Sequence, residues 1–324
     1  MSTPTGPASG LPVRMPRPRQ SGRHRRPEPV AAPEGAPVLV LAVPGAPSAT
    51  MRSLAEEVVS IARSELPGLE AAIGYLDGHD SDVSPAADAG GVGWAGDAAE
   101  FPALPRVLAR VARLRVERYE FATAAGREVA PPSGPDAVVV PLLASPDGAL
   151  TGRIRQAVAE SGATAELTDV LGPHPLLAEA LHVRLSEAGL SRADRARLFT
   201  VTSAADGIVL ATAGGAEAVQ AAGITGMLLA ARLAVPVIAA ALDEEGSVAA
   251  VAEQLRASGS QALALAPYLI GPELAEGALE AAAAAAGCSV AEPLGAYPAV
   301  GKLVLSQYAA ALGITPQPQG APVR

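Results

Sequence analysis

The chain has almost no sulfur with which to cross-link itself. Cys288 is the one cysteine in 324 residues, so no internal disulfide can form, and a reducing, cytoplasmic compartment fits. Aromatic residues make up only 3% of the chain, so a core has to be built from Ala, Val and Leu. There is also no long unbroken apolar run. The most membrane-like window, 219–242, is interrupted by Arg232 and Pro236 and reads as a buried helix followed by a strand. No apolar signal-peptide core follows the N-terminal basic residues before Pro37. The expectation is a soluble protein with no membrane partner.

What is present is an uneven charge. Residues 1–36 hold six Arg against Glu28 and Glu34, a tail of +4, and the formal net charge of −9 leaves −13 for the remainder. An acidic body poor in aromatics argues against a nucleic-acid partner. The Pro- and Arg-rich tail cannot build a core and reads as disordered. Residues 314–324 read as a C-terminal tail.

Between the tails, apolar runs of strand length alternate with helical stretches. Strands are expected at 37–43, 70–76, 136–143, 163–167, 206–213, 235–242, 261–269 and 288–292, each followed by a helix. Such alternation predicts an α/β protein with parallel sheets and helices on both faces. The two halves share words: "IGYLDG" resembles "AAALDE", "VVVPLLASPDG" resembles "LALAPYLIGPE", and "DVLGPHPLLAEAL" resembles "EPLGAYPAVGKLV". The offset between matched residues falls from 166 (Asp77 to Asp243) to 126 (Pro141 to Pro267). The reading is a duplicated four-stranded α/β/α unit, 37–190 and 205–313, the two facing a central cleft. The first unit carries an insertion of about forty residues within 78–140, part of it an Asp/Gly-rich surface loop.

Ligands of open α/β sheets bind beyond the C-terminal strand ends, so candidate site residues are sought there. Gly45 and Ser48 in the first unit, and Gly214 and Gly215 in the second, lie at strand-to-helix turns whose amides can hold an anion; the same small residues can simply make the turn. Asp77 and Asp243 follow the second strand of each unit. Asp147 and Glu273 follow the third. These four carboxylates are candidate metal ligands, with Asp77 also a candidate general base; alternatively they cap helices, Asp147 and Glu273 lying in the first turn of expected helices. His174 and Tyr297 follow the fourth strands and can hydrogen-bond a ligand, His174 being the second catalytic candidate. His79 lies in the insertion, His182 at a helix surface or boundary, and His24 in the tail. The word "GVGWAG" (91–96) matches a dinucleotide-binding spacing but does not directly follow a strand. No Ser-His-Asp order, Walker motif or Cys/His zinc spacing is present.

The duplicated pattern resembles the sirohydrochlorin cobalto-/ferrochelatases, the class II chelatases, over residues 37–313. The resemblance rests on "VVVPLLASPDG" with "DVLGPHPLLAEAL", on "LALAPYLIGPE" with "EPLGAYPAVGKLV", and on "LVLAVPG" in the place of a His-Gly-Ser segment. It implies insertion of Co²⁺ or Fe²⁺, as substrate metal, into a tetrapyrrole. It also implies a histidine after the first strand and another after the third, to deliver metal and accept pyrrole protons. This chain departs at both places. Val43 stands at the first, with Ala213 as its match in the second unit, and Ala149 stands at the second. Two functions follow as expectations: a divergent chelatase that uses other groups, or a degenerate member that binds a tetrapyrrole, a metal or another small anionic ligand without turnover, or acts as a regulatory partner.

Overall fold

The computed structural model describes residues 31–33, 35–79, 100–191 and 205–313. The basic tail with His24, the word 91–96 and the C-terminal tail lie outside the described residues.

Two four-stranded, all-parallel sheets form. The first has the order β2-β1-β3-β4 and the second β6-β5-β7-β8. The strands are β1 (Val38–Val43), β2 (Ala71–Tyr75), β3 (Ala137–Pro141) and β4 (Ala165–Leu167), then β5 (Gly207–Thr212), β6 (Val237–Ala241), β7 (Leu263–Pro267) and β8 (Ser289–Val290). The helices are α1 (Ala49–Glu65), α2 (Leu104–Ala124), α3 (Gly148–Ser161) and α4 (Pro175–Glu187), followed by α5 (Gly215–Leu233), α6 (Ser247–Ala257), α7 (Ala278–Ala286) and α8 (Pro298–Ala311). The duplicated α/β architecture expected from the shared words is therefore present.

The order follows from hydropathy. β1, β3, β5 and β7 are buried at every residue, as strands covered on both faces must be. Side chains alternate across each sheet. In β1, Leu39, Leu41 and Val43 enter a core shared by both units. Val38, Val40 and Ala42 pack instead with Leu108 of α2 and Ile154 of α3. In β5, Val209 and Ala211 join Leu255 of α6 and Ala283 of α7 on the outer face of the second sheet.

The shared core exists because the last helix of each unit crosses to the other. α8 packs on α1 and on β3, while α4 packs on α5 and on β7. A Cβ added at Gly301 of α8 would lie 2.5 Å from the Ile61 side chain and 3.2 Å from the Val58 carbonyl, so the absence of a side chain sets how closely α8 approaches α1. The Tyr308 hydroxyl of α8 donates to the Pro37 carbonyl at 2.7 Å, at the entry to β1. Arg184 of α4 donates to the Leu294 carbonyl of the second unit at 3.0 Å. Few aromatics are needed, and three of them, Tyr75, Tyr268 and Tyr308, are among the largest fully buried side chains.

The forty-residue excess of the first unit divides in three. From β2 to α2 there are 28 residues, against 5 from β6 to α6; α2 has 21 residues against 11 in α6; and 12 residues join α2 to β3, against 5 from α6 to β7. One expected helix start is wrong. The helix expected from 272 begins at Ala278, because Gly271, Pro272 and Gly277 hold residues 270–277 as an irregular segment.

Candidate functional site

At their C-terminal strand ends the two units meet reciprocally. The turn after β1 faces the segment after β7, where a Cβ on Gly45 would sit 3.9 Å from the Pro272 carbonyl oxygen and from the Glu273 Cα. The turn after β5 faces the loop after β3, and a Cβ on Gly214 would sit 2.6 Å from the Pro146 carbonyl oxygen. Gly214 also has φ of 112°, a conformation that side chains rarely adopt. Only glycine satisfies both demands at that point.

Register identifies which residues correspond. Leu76 N donates to the Val43 carbonyl, and Leu242 N to the Thr212 carbonyl. Ala42 pairs with Pro141 and Ala211 with Pro267. The counterpart of Val43 is therefore Thr212, one residue before the expected Ala213. Val43 is fully buried in the shared core. Thr212 is also fully buried, and its hydroxyl lies 2.7 Å from that of Ser145. Ser145 and Thr212 were not among the residues singled out in the sequence, where small hydroxyl side chains at apolar strand ends give little signal. Ala149, the second position at which the family resemblance implies histidine, is exposed in the first turn of α3.

The four candidate metal-binding carboxylates do not converge. Asp77 is exposed and pairs with Arg153 of α3. Asp147 caps α3, accepting from Leu150 N at 2.8 Å. Asp243 accepts from Gly214 N and Gly215 N, both at 3.0 Å, so the chain's own carboxylate occupies the amides expected to hold a foreign anion. Glu273 lies five residues before α7 and caps the backbone of its own loop, accepting from Ile270 N at 2.7 Å. Burial pushes its carboxyl up to about 7, the Ile270 and Gly271 amides oppose that, and the Asp147 charge adds to it. Glu273 and Asp147, each from one unit, therefore sense each other across the junction. Among the described residues, no three His, Cys, Asp or Glu side chains come together as a metal site.

The remaining candidates are also engaged. Ser48 caps α1 through Met51 N at 3.1 Å. His174 caps α4, its Nδ1 accepting from Leu176 N at 3.1 Å, and partial burial lowers its pKa. Tyr297 holds the equivalent cap position of α8, makes no side-chain cap bond, and packs against the shared core. His182, expected at a helix surface or boundary, is instead buried between α4 and α5, where its Nδ1 accepts from Arg232 Nε at 2.7 Å. The α4 crossover puts it there. His79 is exposed, in edge contact with the Phe101 ring.

No protein-family model matches the chain, and no curated protein matches it. Among solved structures, the periplasmic ribose ABC transporter from Conexibacter woesei DSM 14684 is similar over 87% of this chain and 70% of that one, at 14% identity and a TM-score of 0.27. A likeness at that level carries no argument about this protein. Among the described residues no helix is long and apolar enough to cross a membrane.

Proposed function

We propose that this protein is a sirohydrochlorin-chelatase-like scaffold without metal-inserting activity, acting as a binding or regulatory protein. The observation that carries the reading is the chemistry at the two strand-1 ends. Val43 offers no lone pair and no proton acceptor. Thr212 offers a hydroxyl already engaged with Ser145, and a hydroxyl is a poor ligand for Co²⁺ or Fe²⁺ beside an imidazole. The candidate carboxylates spend their oxygens on backbone amides or on Arg153. The partner on this reading is a tetrapyrrole or another small anionic ligand rather than nucleic acid or membrane, and the place of work is the cytoplasm.

One observation favours the active alternative. Glu273 and Asp147 form a carboxylate pair at the junction, and a carboxyl near 7 can take up the protons a tetrapyrrole releases. Sirohydrochlorin incubated with Co²⁺ or Fe²⁺ and the purified full chain separates the two readings, because metal insertion shifts the visible spectrum. The proposed function predicts the spectrum of the no-protein control.

A further inference from the structure

A groove of about 270 Å³ lies along the outer edge of β2, apart from the junction. Arg52, Glu56 and Arg63 of α1, Tyr75 of β2, and Glu100 and Arg110 line it. Val59 and Ile73 supply an apolar floor. The parallel bridge between Tyr75 and Ala103 covers only the C-terminal end of this edge, where Tyr75 N donates to the Pro102 carbonyl.

Tyr75 is the unexplained member. It is 2% exposed, and its hydroxyl is buried with no hydrogen-bond partner among the described residues. Phe101 fixes the ring edge-on, at 5.4 Å between centroids. The side chain lies on the α1 side of β2, within electrostatic reach of Glu56 and Arg52, both of them groove residues. Buried hydroxyls are almost always paired, because an unpaired one keeps its full desolvation cost. Burial holds this phenol up at about 12, so across the physiological range it is protonated and able to donate.

The surroundings define what it donates to. Arg52 Nη1 donates to Glu100 at 3.2 Å, and Arg63 Nη2 to the Ala71 carbonyl at 2.8 Å. Each guanidinium has five N–H donors, so these bonds do not exhaust either group. Three guanidinium groups face two carboxylates, which favours a single negative charge and disfavours a dianion. We propose that the groove binds a small monocarboxylate with a short aliphatic body. One oxygen accepts from the Tyr75 hydroxyl, the other faces Arg52 and Arg63, and the aliphatic part lies on Val59 and Ile73. This site is independent of the chelatase-like reading.

Calorimetric titration of the full chain with butyrate tests it, with butylamine and inorganic phosphate as comparisons. Butyrate should bind saturably, at about millimolar Kd for so small a ligand, and butylamine should not. Tyr75→Phe should weaken butyrate by about tenfold, the loss of one hydrogen bond. The same variant should melt no lower than the parent, since it removes an unpaired buried hydroxyl. Arg52→Gln, at an exposed residue, should weaken binding too. Absence of saturable heat from butyrate overturns the proposal, as does stronger binding of phosphate, or an unchanged affinity in a folded Tyr75→Phe or Arg52→Gln variant.

Discussion

The hydroxyls of Ser145 and Thr212 stand 2.7 Å apart in a buried position, one on the loop after β3 and the other at the end of β5. This bond joins the two units at the place where the resemblance implies metal chemistry. Removing either partner leaves the other buried and short of a hydrogen bond. Ser145→Ala and Thr212→Val should each cost about 1–3 kcal/mol. The double variant should cost clearly less than the two together. Urea melts of the four proteins check this.

Gly214 supports the same contact by lacking a side chain. Gly214→Ala combines a positive φ with an approach of 2.6 Å to the Pro146 carbonyl oxygen. Gly45→Ala meets only ordinary contacts at 3.9 Å and suffers the backbone effect alone, about 1 kcal/mol or somewhat more. Thermal melts should therefore show Gly214→Ala as the more damaging by a clear margin.

Asp77 and Asp243 occupy equivalent places and should respond differently. Asp243 caps the amides of Gly214 and Gly215 at the start of α5, and Asp243→Ala should cost about 1 kcal/mol. The exposed Asp77 pairs with an exposed Arg153, and Asp77→Ala should change stability by less than about 1 kcal/mol. Chemical denaturation of the two variants gives the comparison. Equal costs would show that Asp243 does not cap α5 in solution.

Much of this was legible in the sequence. Duplicated words such as "YLDG" and "ALDE" fix corresponding strand ends, and the continuous apolar runs mark β1, β3, β5 and β7 as central. Correspondence by eye slipped by one residue after β5, giving Ala213 where backbone pairing gives Thr212. Alternation alone cannot fix register where Ala and Thr replace bulky residues. The crossing of α4 and α8 was not legible, because amphipathicity says that a helix buries one face and not which sheet that face covers. That crossing buries His182. Glu273 was misplaced on a helix because Ala-rich sequence after Gly277 extended the apparent pattern backwards through Pro272. Tyr75 was overlooked, though an aromatic residue ending a strand of small side chains in an aromatic-poor chain was a signal.

Glu273 gives the fold a definite pH dependence. Its folded pKa is raised from 4.5 to about 7, so the folded state binds more protons than the unfolded one between those values. This contribution to stability must fall as pH rises from about 4.5 to about 7. The side chain is only half-buried, so the effect should stay within about 1–2 kcal/mol. Glu273→Gln should remove that slope. Denaturant midpoints of parent and variant at pH 5 and pH 8, two pH values roughly bracketing the window, provide the check. A slope of opposite sign would contradict the assignment.

The central claim is that this duplicated scaffold does not insert metal, and the most direct measurement is the initial rate of Co²⁺ insertion into sirohydrochlorin with the full chain. The predicted rate equals that of buffer alone and is the same for Glu273→Gln. A rate above buffer that falls in Glu273→Gln would contradict the claim and assign the junction carboxylates a catalytic role.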